Sequence, residues 1–152
     1  MSTFNKFLYK IYRSQWVVTR PITLGVRLLL VKDGQVLLVK PTYLNGWYFV
    51  GGGVKRNETL EQAARREAKE EVGAELGQLE LFGIFTLFNE FKSDHITVFL
   101  CTDFTYTGKT DFEIEQHRLF PLNSLPADLA PGHERRIQEY LEGQERPKFG
   151  YW

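Results

Sequence analysis

The sequence has a single cysteine, no net charge and no long uninterrupted hydrophobic run. Cys101 cannot form an intrachain disulfide, which fits a reducing cytoplasm. Basic and acidic residues both number 19, so the basic excess typical of a protein that binds nucleic-acid polymers is lacking. The longest apolar stretch, residues 26–39, is interrupted by Arg27 and by Lys32-Asp33-Gly34, and the first residues do not resemble a secretory signal. We therefore expect a cytoplasmic protein whose partner is neither a nucleic-acid polymer nor a membrane.

The composition is that of a soluble globular domain. Hydrophobic residues make up 43% of the 152 residues and charged residues 25%, which is ordinary for a protein with a buried core. We expect a single domain over residues 1–152, with an N-terminal helical extension at residues 1–18 and a C-terminal tail at residues 144–152.

Residues 4–16 predict an amphipathic helix. Its apolar residues recur at helical spacing and are Phe4, Phe7, Leu8, Ile11 and Tyr12. Such a helix either lies on a membrane surface or packs on its own domain or on a partner chain. We favour packing, because amphipathic helices in soluble proteins mostly face a core, and a homodimer stays open.

Several apolar segments predict strands. Two of them, residues 22–31 and 36–39, flank Asp33-Gly34, which indicates a hairpin because its turn requires positive φ. Further strands are predicted at residues 48–50, 79–91, 95–106 and 119–122, with a turn near residues 92–94.

Two helices are predicted beyond the N-terminal segment. The first covers residues 59–72, where Thr59 and Gln62 form a capping box and Gly73 supplies the stop. The second covers residues 133–141, and the tail after it is expected to be irregular. The order of elements indicates an α/β protein with one central mixed sheet and helices packed against it.

The helix at residues 59–72 carries glutamates on its inward side. Its apolar arc consists of Leu60, Ala63, Ala64, Ala68 and Val72. Glu71 lies within this arc, one turn beyond Glu67, and Glu70 flanks it. The basic residues Arg65, Arg66 and Lys69 fall on the opposite, solvated side, together with Gln62.

Three acids gathered in this way destabilise the helix unless something compensates them. Like charges one turn apart cost about 0.2–0.5 kcal/mol per pair, and burial of a carboxylate costs more. A solvated face with ion pairs is the alternative explanation. The inward position instead favours a hard divalent cation, Mg²⁺ or Mn²⁺, bound by these oxygens.

The loop before this helix favours a phosphate site. Gly51, Gly52 and Gly53 permit close approach to the backbone, and N–H groups of a glycine-rich turn suit an anion. The run of three glycines and the acidic helix at residues 59–72 together indicate metal-assisted phosphoryl chemistry.

The spacing of these residues resembles the Nudix box. Gly52 is followed after five residues by Glu58 and, after seven more, by Arg66-Glu67-Ala68-Lys69-Glu70-Glu71-Val72-Gly73-Ala74, so the box covers residues 52–74. The resemblance implies a Nudix-type α/β/α sandwich. It also implies a metal-dependent hydrolase that cleaves the diphosphate bond of a nucleoside diphosphate linked to another moiety X.

The resemblance further implies roles for particular residues. Glu67, Glu70 and Glu71, with the carbonyl of Gly51, would bind Mg²⁺ or Mn²⁺, and Glu67 or Glu70 would activate the attacking water. Glu58 and Arg66 would pair to hold the loop against the helix. A later loop often supplies another carboxylate, for which Glu113 is the first choice, ahead of Glu90 and Glu115.

Other residues are candidates for binding a nucleotide-like substrate. Arg27 and Lys40 could hold the diphosphate, beside the backbone of Gly52 and Gly53, although both are also ordinary strand-end charges. Tyr43, Trp47 and Phe88 could stack on a base, although aromatics near strand ends are more often core residues. His95 and His117 are interpreted as structural.

Three alternatives belong to other classes. A Nudix-fold sensor would bind nucleotides without hydrolysis, but such proteins usually lose box glutamates that are present here. An isoprenoid-diphosphate isomerase shares the fold but requires a catalytic cysteine, whereas Cys101 lies in an apolar run typical of a buried residue. The third is an interaction module built on residues 4–16.

Overall fold

A computed structural model describes residues 21–89 and 91–152. The predicted N-terminal helix at residues 4–16 and the alternative acid Glu90 lie outside these residues. Within them the helices are α1 (Leu60–Val72) and α2 (Pro131–Leu141). The strands are β1 (Ile22–Lys32), β2 (Gln35–Pro41), β3 (Ala74–Leu76), β4 (Glu80–Asn89), β5 (Lys92–Cys101), β6 (Phe104–Tyr106), β7 (Ile114–Pro121) and β8 (Lys148–Tyr151).

The main sheet has six strands in the order β7-β2-β1-β5-β4-β8. The pairs β1–β5 and β4–β8 are parallel, whereas the other neighbours are antiparallel. The short strands β3 and β6 form a separate antiparallel pair. The predicted mixed central sheet is therefore confirmed.

The middle of the sheet is covered on both faces, with one helix against each. Along β1, Leu28 belongs to a core with Ala64 and Ala68 of α1, whereas Leu29 belongs to a core with Ile137 of α2. All five residues have no exposed surface. The part of a strand that is covered on both sides has few polar positions, which explains the apolar run at residues 28–31 of β1. The predicted α/β/α arrangement is confirmed.

The sheet splits between β1 and β2, and the glycine loop fills the split. The two strands pair only at Val31↔Val36 and Lys32↔Gln35, next to the turn at Asp33-Gly34, where both φ angles are positive. Beyond that turn, residues 48–53 run between the strands and bond to both. Leu28 N donates to Val50 O and Val26 N to Gly52 O, each at 2.9 Å. The predicted strand at residues 48–50 thus consists of isolated bridges, and its path places the glycines beside β1.

Several predicted boundaries differ from the structure. The single strand predicted at residues 95–106 was wrong, because this segment forms two strands in different sheets, β5 and β6. β5 begins at Lys92, paired with Asn89, so the turn predicted near residues 92–94 lies just before them, where Phe91 has a φ of 73°. β7 begins at Ile114 rather than at residue 119, because its pairing with β2 extends as far as Pro41.

The tail predicted to be irregular contains strand β8, which pairs with β4. The indole of Trp152 lies next to Gly132 and packs edge-on against His133 at 4.8 Å between ring centroids. The strand depends on these tertiary contacts, which cannot be predicted from the local sequence pattern. Among the described residues, neither helix is long and apolar enough to cross a membrane.

Candidate functional site

The ends of α1 are fixed by side-chain and backbone caps. Thr59 Oγ1 accepts from Gln62 N at 3.1 Å, and Gln62 Oε1 accepts from Thr59 N at 2.9 Å. At the other end Gly73 has a φ of 62°, and its N–H donates to the carbonyls of Ala68 and Lys69. The predicted capping box and glycine stop are confirmed. They set where the helix begins and ends, and so which residues face the sheet.

Glu71 points into the protein, as the helical wheel predicts, and is only 7% exposed. Its Oε2 accepts a hydrogen bond from Gly51 N at 2.9 Å. Burial raises the pKa of Glu71 to about 8; the Gly51 hydrogen bond opposes this shift, and the charge of Glu67 adds to it. The charge of Arg27 opposes the shift without cancelling it, so the burial of this carboxylate is only partly compensated.

Glu67 lies against the backbone of Gly52. A Cβ added to Gly52 would be 2.5 Å from Glu67 Oε1, so the carboxylate occupies the space that any other residue would need. Gly51 is restricted differently. Its φ is 140°, and a Cβ there would be 2.2 Å from the carbonyl oxygen of Val26. The two glycines therefore let the loop pass between β1 and the acids of α1.

Arg66 joins the loop to the helix acids. Its Nε donates to Glu58 Oε1 at 2.7 Å, and its Nη1 donates to Glu67 Oε1 at 2.6 Å and to Glu70 Oε2 at 3.1 Å. Nη2 also donates to Gly53 O at 3.1 Å. The expectation that Arg66 is solvated was wrong: its side chain is 19% exposed, because it folds over the helix toward the acids. The hydrogen bond from Arg66 lowers the pKa of Glu58 to about 2.

The carboxylate oxygens of Glu67, Glu70 and Glu71 are ligands that a hard divalent ion prefers. In this structure, however, Arg66 occupies oxygens of Glu67 and Glu70. Among residues 21–89 and 91–152, no group of three or more acidic, histidine or cysteine side chains is arranged to hold a metal ion as it stands. Glu67 and Glu70 are hydrogen-bonded to Arg66, and Glu70 is also 4.0 Å from the ammonium of Lys55. An ion would therefore compete with Arg66 for these oxygens, while Glu71 is buried and undercompensated.

Glu113 approaches the same acids from the loop before β7. Its carbonyl accepts from Thr42 N at 2.8 Å. Burial raises the pKa of Glu113, and the charges of Asp111, Glu67 and Glu70 raise it further. Asp111, which sequence reasoning missed, accepts from Glu113 N at 2.9 Å and also raises the pKa of Glu71. Its only signal in the sequence is its place two residues before Glu113.

Arg27 and Tyr43 lie beside the acidic centre. Burial raises the pKa of Tyr43, as do the charges of Glu113 and Glu71, whereas Arg27 lowers it. Arg27 likewise opposes the raised pKa of Glu71, and its Nη1 donates to Val26 O at 2.9 Å. Tyr43 is 48% exposed, so its ring is accessible from solvent.

The other predicted substrate residues are placed elsewhere. Lys40 lies on β2 opposite Gln116 of β7. Phe88 lies on β4, two strands away from β1, with its ring 6.2 Å from that of Tyr151. A surface cavity of about 510 Å³ is lined by Trp47, Thr110, Glu115, Gln116, His117 and Arg118, and α1 contributes nothing to its lining.

Cys101 is buried and its Sγ donates to Asp103 O at 3.2 Å. Burial raises the pKa of the thiol. A protonated, inaccessible thiol is a poor nucleophile, which argues against the isomerase alternative.

Comparison with known proteins shows the family of the chain. The family model described as NUDIX domain matches residues 19–140. The chain belongs to the Nudix family. An ADP-ribose pyrophosphatase of Methanocaldococcus jannaschii is 30% identical over 118 residues, which cover 74% of this chain and 69% of the relative.

Other comparisons are more local or concern the fold alone. An RNA pyrophosphohydrolase of Marinomonas sp. is 43% identical over 56 residues, which cover 37% of this chain. The match spans about a third of that relative's own length, 35%. A MutT NUDIX hydrolase from Burkholderia pseudomallei has a TM-score of 0.71 at 24% identity, with 78% of this Nudix chain and 97% of the other covered. This last likeness shows the Nudix fold.

Proposed function

We propose that this Nudix chain is a divalent-metal-dependent hydrolase that cleaves a diphosphate bond in a nucleoside diphosphate linked to another moiety X. The observation that carries the proposal is Glu71, a carboxylate buried against Gly51 and surrounded by further acids. Burial of that charge is costly without a cation, and the neighbouring acids make the cost larger. A hydrolase that binds a metal ion here gains from an arrangement that is otherwise only destabilising.

The ion is Mg²⁺ or Mn²⁺, and Gly51, Glu67, Glu70, Glu71 and Glu113 would hold it. All of them offer oxygen ligands, which these ions prefer. When bound, the ion neutralises the diphosphate and lowers the pKa of a water molecule.

The side chains of the site have two further roles, proton transfer and support of the loop. Glu67 or Glu70 accepts the proton of the attacking water as general base. The pair of Glu58 and Arg66 holds the loop in place, since Arg66 bonds both to Glu58 and to Gly53 O.

Substrate binding uses the residues around the acids. Arg27 attracts the diphosphate, whose oxygens also bind to the backbone N–H groups of Gly52 and Gly53. Tyr43 stacks on the base from the solvent side. Lys40 and Phe88 keep their predicted substrate roles only if the substrate extends beyond this centre.

The names of the relatives suggest which compounds to test for X. One relative is named an ADP-ribose pyrophosphatase, others are named RNA pyrophosphohydrolase, and one is named an NAD-capped RNA hydrolase. A suitable panel therefore combines ADP-ribose, nucleoside triphosphates, sugar nucleotides and dinucleoside polyphosphates with short RNAs bearing 5′-triphosphate or NAD caps. Product release is measured with Mg²⁺, with Mn²⁺ and with chelator.

We expect turnover of at least one compound, and its loss with chelator. Glu70→Gln should abolish most of that turnover. Glu61→Gln is the matched control, because Glu61 lies on the same helix but pairs with Arg65 in solvent. No turnover of any compound, together with tight binding of one, would instead support the nucleotide sensor.

A further inference from the structure

One part of the sheet presents large apolar side chains to solvent. The cross-strand registers place Ile22, Ser93 and Phe88 in one row and Leu24, His95, Thr86 and Tyr151 in the next. A third row consists of Val26, Thr97, Ile84 and Phe149. Residues in one row share a face, and alternate residues of a strand do too. Because Val26 belongs to the core with α1, all three rows lie on the α1 side of the sheet.

We call Ile22, Leu24, Phe88, Phe149 and Tyr151 the exposed apolar face. Their exposed fractions are 78%, 44%, 66%, 74% and 73%. They flank Ser93, His95 and Thr97 of β5, which lie between them on the same face. Large exposed apolar side chains gathered on one face of a sheet mark an interaction site in a soluble protein. The opposite side of the same strands is closed, since Phe85 and Ile96 pack in the core with α2.

The preceding part of the chain enters the sheet at the corner of this face. Ser93 N donates to Pro21 O at 3.1 Å, which fixes Pro21 beside the first row. Residues 17–20 connect Pro21 to the amphipathic segment at residues 4–16. Four extended residues reach about 13 Å, which is close to the width of the face, about 14 Å for the three strand spacings from β1 to β8. A helix of residues 4–16 would be about 20 Å long, so it is long enough to cross all four strands.

We propose that the apolar side of residues 4–16 packs on the exposed apolar face of the same chain. The segment offers Phe4, Phe7, Leu8, Ile11 and Tyr12 on one side, and the face offers aliphatic and aromatic partners. The charges of Lys6, Lys10 and Arg13 then remain in solvent. The segment is tethered next to the face, so its effective concentration there exceeds that of any second copy at ordinary protein concentration.

A spin label tests the position and the origin of the contact. Lys6→Cys is labelled in the full chain, and unmutated chain treated with the same reagent controls for Cys101, which is buried. We expect amide signals of β8 and of the end of β4 to broaden strongly, and those of α2 on the other side of the sheet to stay sharp. Uniform or absent broadening would overturn the proposal. Broadening that survives when labelled, isotope-free chains are mixed with unlabelled, isotope-enriched chains would also overturn it, because the contact would then come from a second copy.

Substitutions on the face give an independent test by hydrogen exchange of residues 4–16. Phe149→Asp and Ile22→Asp, at opposite ends of the face, should each speed exchange of this segment at least tenfold. Phe112→Asp is the matched control, because Phe112 is 87% exposed but lies outside the face. Unchanged protection of β4 and β5 shows that the variants fold. Equal effects of all three variants, no effect of the first two, or binding of the unmutated chain to anionic lipid vesicles through this segment would contradict the proposal.

Discussion

Replacing each glycine of the loop by alanine should produce three different outcomes within three consecutive positions. At Gly51 the added Cβ would be 2.2 Å from the carbonyl oxygen of Val26, which is backbone and cannot move aside. At Gly52 the nearest atoms belong to the carboxylate of Glu67, at 2.5 to 2.9 Å, which is the end of a flexible side chain. At Gly53 no atom lies within 4 Å.

The magnitudes follow from what has to move. Gly51→Ala combines a backbone conformation at a φ of 140°, which costs about 1–3 kcal/mol in other residues, with a steric overlap that costs about 1–3 kcal/mol more. Its melting temperature should fall by more than about 5 °C. Gly52→Ala displaces only Glu67, so its free energy of unfolding should change by less than about 1 kcal/mol. Its affinity for Mn²⁺ and its turnover should fall about 10- to 100-fold, as for other changes that misplace a ligand.

Thermal unfolding, Mn²⁺ titration and turnover of an accepted substrate separate the three variants. Gly53→Ala should resemble the unmutated chain in stability and in Mn²⁺ affinity. The reasoning would be refuted if Gly52→Ala bound Mn²⁺ as tightly as Gly53→Ala, since Glu67 would then not need its position against the loop.

Three further predictions concern single side chains. The pKa of Glu71 in the folded chain, about 8, exceeds its unfolded value, so the folded state binds the extra proton. Without divalent ions, the contribution of Glu71 to stability should therefore be complete below about pH 4.5 and be lost as pH rises toward 8. Urea unfolding at several pH values checks this, and Glu71→Gln should remove the slope; a slope that persists in Glu71→Gln would exclude Glu71 as its origin. Arg66→Lys should raise the pKa of Glu58 from about 2. The acid unfolding transition, which in the unmutated chain includes protonation of Glu58 between about pH 4.5 and 2, should then move to higher pH. Circular dichroism follows this transition, and an unchanged transition would contradict the role of the pair. Tyr43→Ala should raise KM about tenfold with little change in kcat, and an unchanged KM would argue against stacking.

The central helix could be predicted almost completely because its signals are local. Thr59, Gln62 and Gly73 mark its ends by hydrogen bonds within a few residues of sequence, and the wheel predicts the inward position of Glu71 from rotation alone. The position of Arg66 could not be predicted in this way. Its long side chain bonds to Glu58 before the helix and to Glu67 and Glu70 further along it, and a wheel assigns a direction only to the Cβ.

The parts of the fold that could not be predicted depend on contacts with residues that are distant in the sequence. β8 forms because β4 offers an unpaired edge, and Trp152 packs beside Gly132. The insertion of residues 48–53 between β1 and β2 likewise requires both strands to be in place. Asp111 reaches the acids through the path of a loop, which no periodicity describes.

Direct titration with Mn²⁺, followed by electron paramagnetic resonance, tests most directly whether the acids of α1 form a metal site. We predict that the unmutated chain binds the ion and that Glu67→Gln and Glu71→Gln each weaken binding at least about tenfold, whereas Glu61→Gln leaves it unchanged. Equal affinity in all four proteins would show that the ion binds elsewhere, and would contradict the account of the site.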